Sequence, residues 1–346
     1  MSKKDSSVQK LKDLFSNKKI LPIYSNFKSQ LNSFIKKNTF LVAVSGGPDS
    51  LALSALSKKY SEEKKIKVFY ILIDHGIRTD SSKEALAVKK LLRKKGIILT
   101  ILKNKKKIKK NLQSHARAIR YELLLNYCKK LKVKFIMTGH HRDDQIETFL
   151  IRLSRGSGIQ GLSSMNKTTK LNNKIKLFRP LLNMNKKDLI FLAKKYYGKI
   201  FKDPSNTNKK YLRTNIRNLI KQFEKNGIKR ERIIDSINNL ASTRDTLNSY
   251  ILGVEKKCLV KNKNTILIKL KFFLLENNEI QLRILSNSFK YISKNYYPPR
   301  AKKVLNLITR IKGKKEIKAT LGGCIVNKRQ NNLIISKEEL KKTIKL

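Results

Sequence analysis

The feature that most constrains this chain is a run of six residues, Thr39 to Val44, that ends on Ser45-Gly46-Gly47-Pro48-Asp49-Ser50. The run is apolar and β-branched and has the length of a buried strand. The two glycines let the chain turn sharply and let its backbone N–H groups approach a ligand. Leu51 to Tyr60 follows with good helix formers. Strand, small-residue loop and helix N-terminus together make an anion site, because unpaired N–H groups and the helix dipole point at the loop. The hydroxyls of Ser45 and Ser50 add donors, and the expected guest is a phosphate group. The spacing is not that of the Walker loop, which ends in Gly-Lys-Ser/Thr. No lysine follows here, and an aspartate sits inside the loop. A carboxylate beside a phosphate calls for a divalent cation or another donor between them, so Asp49 points to a magnesium-bridged nucleotide. A plain strand–turn–helix corner would explain Gly-Gly alone, but not all six residues.

Strand and helix patterns alternate after this loop. Lys67 to Ile73 reads as a second strand ending at Asp74-His75-Gly76. Ser81 opens a helix, with Glu84 three residues on completing a capping box. Val88, Leu91 and Leu92 form its apolar stripe, and Gly96 stops it. Ile97 to Leu102 is a third strand, followed by the lysine-rich loop Lys103 to Lys110. A helix from Gln113 to Leu131 is expected to bury Ala116, Ile119, Leu123 and Tyr127. Val133 to Thr138 is a fourth strand, ending at Gly139-His140-His141. Such alternation predicts an α/β fold, a parallel sheet sandwiched by helices, with ligands at the carboxyl ends of its strands. The glycine loop, Asp74-His75 and His140-His141 all fall there. From about Asn215 the pattern becomes mainly helical, broken at Tyr297-Pro298-Pro299-Arg300, and it closes with short strands over Ile317 to Ser336.

The chain carries 80 Lys+Arg against 24 Asp+Glu, a formal net charge of +56. A protein this basic repels itself unless a polyanion is present, so nucleic acid is the expected partner. Abundant Lys, Asn and Ile also fit an A/T-rich genome, which inflates the charge without explaining the scarcity of acids. Cys128, Cys258 and Cys324 lie far apart with no Cys-x-x-Cys pair, which argues against an iron–sulfur cluster, a zinc ribbon or a disulfide framework. No apolar run reaches membrane-spanning length, and Met1 to Lys19 lacks an apolar signal core. A cytoplasmic location is expected.

The densest chemistry lies in Gly139-His140-His141-Arg142-Asp143-Asp144-Gln145-Ile146-Glu147-Thr148. On a helix, His140 and Asp144 are four apart, as are Asp143 and Glu147, so each pair can share a face. Acids at a helix N-terminus also serve the helix dipole, but paired histidines with a glutamine do not follow from that. A magnesium or zinc cluster is compatible with these residue types. Arg117 and Arg120 share a helix with Tyr121 and can act as a phosphate or substrate clamp or stay solvated. Tyr196, Tyr197, Tyr296 and Tyr297 can stack on unpaired bases or fill a core.

The hexapeptide resembles the loop of the N-type ATP pyrophosphatase superfamily, whose adenine nucleotide alpha hydrolase-like fold the resemblance implies. The block His-His-x-Asp-Asp-Gln-x-Glu-Thr, with Arg155-Gly156-Ser157-Gly158, Gly161-Leu162 and Met165, resembles the tRNA(Ile)-lysidine synthetase family. So do Asp74-His75-Gly76-Ile77-Arg78, Ala116-Arg117-Ala118-Ile119-Arg120-Tyr121, Arg179-Pro180-Leu181-Leu182, Asp203-Pro204-Ser205-Asn206 and Ala319-Thr320-Leu321-Gly322-Gly323-Cys324. The family often shows Arg-Asn after its Asp-x-Ser-Asn element; here Arg213 is followed by Thr214 and Asn215, with Arg217 in place.

The resemblance implies ATP-dependent attachment of L-lysine to C2 of the wobble cytidine in the CAU anticodon of tRNA(Ile), through an adenylated intermediate. It implies ATP and Mg2+ as cofactors and tRNA(Ile) and lysine as partners; no membrane is expected, and a homodimer is one option that the sequence does not decide. Asp49, His140, His141, Asp143, Asp144, Glu147, Arg117 and Arg120 are the expected catalytic residues. Ser45, Gly46, Gly47, Pro48, Asp49, Ser50, Asp74 and His75 are expected at the nucleotide. Arg155, Gly156, Gly158, Asp203, Asn206, Arg213 and Arg217 are expected at the substrate, with magnesium on Asp49, Asp143 and Asp144. The expected organisation is an N-terminal extension over 1–36, a catalytic domain over 37–215, and a mainly helical tRNA-binding region over 216–346. A further C-terminal subdomain of some members is expected to be missing or shortened. Two rival readings are a tRNA thiolation enzyme of the same superfamily, disfavoured by the cysteines, and a non-catalytic basic RNA-binding protein, disfavoured by the intact acids and glycine loop.

Overall fold

The computed structural model of the chain describes residues 14–36, 38–76, 80–104, 112–172, 174–201, 212–295 and 298–338. It divides into two compact units, one ending at Ala241 and the other beginning at Ser242. Among the described residues no helix is long and apolar enough to cross a membrane.

The first unit is built on a six-stranded sheet in the order β3-β2-β1-β4-β6-β5. Its strands are β1 (Phe40–Val44), β2 (Val68–Asp74), β3 (Leu99–Lys103), β4 (Phe135–Met137), β5 (Thr168–Lys170) and β6 (Lys176–Phe178). β1 pairs in parallel with β2 and β4, and β2 with β3; β6 is parallel to β4, and β5 alone runs antiparallel, at the edge. The helices are α1 (Ile20–Phe34), α2 (Pro48–Lys64), α3 (Ser81–Arg93), α4 (Leu112–Lys130), α5 (Arg142–Leu153), α6 (Ile159–Leu162), α7 (Lys186–Tyr197) and α8 (Leu212–Lys225).

The period of two along β1 explains why both faces are covered. Phe40, Val42 and Val44 join a core with α1, α2, α3 and α7. Leu41 and Ala43 face the opposite core, which α4 closes with Leu124 and Cys128. α2 is buried from Ser50 to Ser57, so it is the central helix of its layer. Because the chain passes from β1 to β2 and β3 on one side and to β4 on the other, the strand order reverses at β1 and β4. A crevice at the carboxyl ends of these two strands is where such sheets take ligands.

Several expectations need correction. Residues 14–36 are part of the first core and not an appendage, since Phe15, Phe27, Leu31 and Ile35 are buried in it. The division falls after Ala241 and not at 215/216, because α8 packs Ile216 and Ile220 on Ile146 and Leu150 of α5. The buried stripe of α4 runs through Ala116, Leu124 and Cys128, while Ile119, Leu123 and Tyr127 are only partly covered. The capping box at Ser81 does not form: Asp80 is the N-cap without a side-chain bond, because Ser81 and Ser82 bond to Asp74 instead. Tyr196 and Tyr197 are buried core residues, edge to face with each other, and do not offer a base-stacking surface. Tyr296 and Tyr297 lie outside the described residues.

The unit boundary falls inside α9 (Arg230–Cys258). The second unit is mainly helical, with α10 (Leu270–Phe273), α11 (Asn278–Ser293) and α12 (Ala301–Gly313). It also holds a five-stranded antiparallel sheet in the order β7-β8-β11-β10-β9. The strands are β7 (Leu259–Lys261), β8 (Thr265–Lys269), β9 (Ile317–Leu321), β10 (Cys324–Arg329) and β11 (Asn332–Lys337). Ile266, Ile268, Val326, Leu333 and Ile335 pack on Phe289 and Ile308 of the helices.

Leu53 lies fully buried on the central helix α2. Leu53→Ala is expected to lower unfolding stability by about 2–5 kcal/mol, measured by urea denaturation. A change under about 1 kcal/mol would contradict a close-packed core at this position.

Candidate active site

The loop after β1 is held shut by one serine. Ser50 Oγ accepts from the N–H of Ser45 at 3.1 Å and from its hydroxyl at 3.2 Å, and donates to the carbonyl of Gly47 at 3.0 Å. Pro48 opens α2, where its missing N–H costs nothing. The Leu51 N–H then bonds the Gly47 carbonyl at 3.0 Å, which starts the helical ladder. Gly46 has φ +85°, and a Cβ there would stand 2.6 Å from Val88 Cγ2, so any other residue would be strained and would displace Val88.

The loop after β4 touches this turn directly. A Cβ on Gly139 would lie 3.0 Å from both the carbonyl carbon and oxygen of Asp49, and 3.1 Å from the Ser50 nitrogen. Beyond it, His141 is the N-cap of α5. Its Nδ1 accepts from the Asp143 N–H at 3.1 Å, and its own N–H donates to Asp144 Oδ2 at 3.0 Å, forming a capping box. The other ring nitrogen, Nε2, lies 3.5 Å from Asp49 Oδ2 and 3.6 Å from Asp144 Oδ2. His141 therefore joins the start of α2 to the start of α5. Burial opposes a charge on His141, but Asp49 and Asp144 outweigh it and raise its pKa. The cap acts the other way, because Nδ1 must stay unprotonated to accept, so the proton belongs on Nε2 between the two carboxylates. Burial holds His140 down to about 3, helped by Arg179, Arg117 and Arg213 against the pull of Asp144. His140 is thus a neutral ring, with Nδ1 2.8 Å from Thr138 Oγ1.

The carboxylates separate by role. Asp49 Oδ1 is buried without a hydrogen-bond partner, which fits a cation or a ligand donor. Burial would raise the Asp144 pKa, but His141 and His140 hold it below the usual carboxylate range. Asp143 turns elsewhere, with Oδ2 2.8 Å from Arg230 Nη1. Glu147 is buried and accepts from Arg217 Nε at 2.6 Å. Among the described residues no three His, Cys, Asp or Glu side chains are grouped to hold a metal. Of the three expected metal residues, Asp49 and Asp144 both lie against His141 Nε2, whereas Asp143 is paired with Arg230.

Asp74 is buried, and its oxygens accept from the Gly76 N–H at 3.0 Å and the Ser82 hydroxyl at 2.5 Å, so it shapes its own loop. Burial and Arg120 depress the His75 pKa, and its Nε2 lies 3.4 Å from Arg120 Nη2. Arg117 lies over the Tyr121 ring, 5.1 Å from its centroid, and is exposed. Arg213 is exposed on α8, and its charge acts on His140 and Asp144. Arg155, Gly156 and Gly158 are exposed. Asp203, Asn206 and Arg78 lie outside the described residues.

A family model of the PP-loop domain matches residues 18–223. A tRNA(Ile)-lysidine synthase of Wolbachia pipientis wMel is 37% identical over 318 residues, covering 90% of this chain and 74% of that one. One from Wolbachia sp. subsp. Brugia malayi (strain TRS) is 35% identical, covering 93% and 76%. The chain belongs to the tRNA(Ile)-lysidine synthase family. A solved U34-tRNA thiolase from Methanococcus maripaludis is similar in fold, with a TM-score of 0.54 at 22% identity, covering 64% of this chain and 79% of that one.

In this member of the family, three residues passed over as site candidates shape the segment after α5. Gln145 holds the Met165 backbone at both ends of its amide, accepting from the N–H at 2.8 Å and donating to the carbonyl at 3.0 Å. Arg152 donates to the carbonyls of Gly161 and Ser164 at 2.7 and 2.9 Å. Arg179 is buried and donates to the Asn166 carbonyl at 2.6 Å and to Thr169 Oγ1 at 2.9 Å. Gln145 stands inside the polar Gly139–Thr148 block and Arg179 opens the Arg-Pro-Leu-Leu element, but neither local context tells that the side chain bonds backbone of another segment.

Gly139→Ala is expected to cost about 1–3 kcal/mol in urea denaturation, because the rigid backbone of Asp49 must move. Wild-type stability would contradict the close approach of the two loops. The cysteines give a second expectation. Burial pushes the Cys128 thiol up to about 12 and, with Glu255, the Cys258 thiol up to about 11; burial and Glu338 also raise Cys324. Iodoacetamide at about pH 8 should leave the folded chain unlabelled and alkylate all three thiols after unfolding, since thiolate is the reactive form. Rapid labelling of the folded chain would reopen the thiolation reading.

Proposed function

We propose that this chain uses ATP to activate the wobble cytidine of a CAU-anticodon tRNA(Ile) and joins L-lysine to it, in the cytoplasm. The observation that carries the reading is the pairing of the Ser45–Ser50 loop with the His140–Asp144 segment at the sheet's switch point, in a chain of this family. In the reaction the cytidine O2 attacks the α-phosphate of ATP and pyrophosphate leaves. The lysine ε-amine then attacks C2, and AMP departs with the oxygen.

The geometry supports the following roles. Backbone N–H groups of the Ser45–Ser50 turn receive the phosphates. Asp49 and Asp144 are the carboxylates that would hold Mg2+, which supplies positive charge at the phosphates when bound. His141 fixes the distance between those carboxylates. Arg117, Arg120 and Arg213 carry positive charge toward the same side and stabilise the charge that grows in the adenylation step. His140, kept neutral, serves as a hydrogen-bonding group. The large excess of Lys and Arg supports binding to an RNA backbone, with affinity that falls steeply as salt rises.

The test is incubation of the chain with ATP, magnesium, labelled lysine and a CAU-bearing tRNA(Ile) transcript, with a CUU-anticodon transcript as control. Label on the CAU transcript alone, with AMP formed, is the expected result. Asp49→Ala should lower incorporation by at least about 100-fold, the scale of losing a preorganised electrostatic group. ATP cleavage without lysine incorporation would contradict the choice of nucleophile, and no ATP cleavage would favour a binding protein.

A further inference from the structure

Asp143 and Asp144 are consecutive on α5, and side chains of consecutive helical residues project about 100° apart. Asp144 meets His141, whereas Asp143 meets Arg230 at the start of α9. Arg230 uses its remaining nitrogens on Glu224 of α8, Nε to Oε1 at 2.7 Å and Nη2 to Oε2 at 3.0 Å. One guanidinium thus spans two carboxylates, a geometry that a lysine cannot reproduce. The neighbouring Arg142 extends the same contact, reaching Glu231 at 3.2 Å and Asn185 Oδ1 at 3.2 Å. One turn further along α5, Glu147 bonds Arg217 of α8. The face of α5 that carries Asp143 and Glu147 is therefore occupied by arginines of α8 and α9.

We propose that Asp143, Arg230 and Glu224 form a clasp that docks the α8–α9 turn on the N-terminus of α5 and so holds in place the helix start that carries His141 and Asp144. Asp143 and Arg230 are positioning residues, and Asp143 does not bind magnesium. The inference rests on the lysine-joining reading for its kinetic arm only. Each ion pair is partly exposed, with side chains 28%, 21% and 42% accessible for Arg230, Asp143 and Glu224, so any single pair is weak and the shared geometry is what matters.

The test uses the full chain with Asp143→Asn, Arg230→Gln, Arg230→Lys and the Asp143→Asn/Arg230→Gln double variant. Lysine incorporation is measured against ATP and magnesium, and amide hydrogen exchange is measured across residues 212–225. Asp143→Asn and Arg230→Gln should each lower kcat about 3- to 10-fold, and the double variant should be no slower than the worse single one. The magnesium half-saturation should not move, and Arg230→Lys should fall between. Exchange in α8 should quicken in both single variants. Asp143→Asn that raises the magnesium half-saturation while Arg230→Gln behaves as wild type overturns the proposal. If the wild-type chain joins no lysine, the functional reading fails, and the exchange measurement still judges the clasp: unchanged exchange in α8 overturns it.

Discussion

Everything at the site depends on two loops being allowed to touch. Gly139 approaches the backbone of Asp49 and Ser50 so closely that a single methyl would meet it at 3.0 Å. That contact brings the ends of β1 and β4 together and sets the N-termini of α2 and α5 side by side. His141 then bridges them, one ring nitrogen spent on capping α5 and the other turned to Asp49 and Asp144. Two helix N-termini directed at one crevice make a strongly anion-attracting place without any lysine in the loop. The Asp49 oxygen left without a partner is the counterpart of that field, a carboxylate in need of a cation.

The acids are few, and the first unit uses them sparingly. Asp49 and Asp144 remain at the crevice, Asp74 is absorbed by its own turn, and Asp143 and Glu147 are matched to Arg230 and Arg217. With a net charge of +56, an acid paired to an arginine is a way to hold helices in place while the remaining basic side chains stay available to an RNA backbone. Glu147 shows the cost of that choice: buried as it is, it would be strongly destabilising without Arg217.

Much of the first sheet was legible because local signals agreed. β1 to β4 and their helices carry period-two and helical patterns with clear stops, and the glycine loop follows the strand it needs. Where tertiary packing decided, reading the sequence fell short. Ser81 has the spacing of a capping box, yet Asp74 of the preceding strand takes its hydroxyl. On α4 the apolar residues are so dense that spacing alone could not tell a stripe through Leu124 and Cys128 from one through Leu123 and Tyr127. The pairs His140/Asp144 and Asp143/Glu147 were visible as helical neighbours, but which pair faces the crevice depends on α8, about seventy residues later in the chain. Arg230 had no local signal at all. In the second unit, β7 and β8 are short; β7 pairs with β8 and β8 with β11, a long-range contact that no local pattern announces.

The most direct measurement is a crystal structure of the chain with magnesium and a non-hydrolysable ATP analogue. The account predicts the phosphates on the N–H groups of the Ser45–Ser50 turn, the metal against Asp49 and Asp144, and Asp143 still bonded to Arg230. A nucleotide bound away from the ends of β1 and β4, or a metal on Asp143, would contradict it.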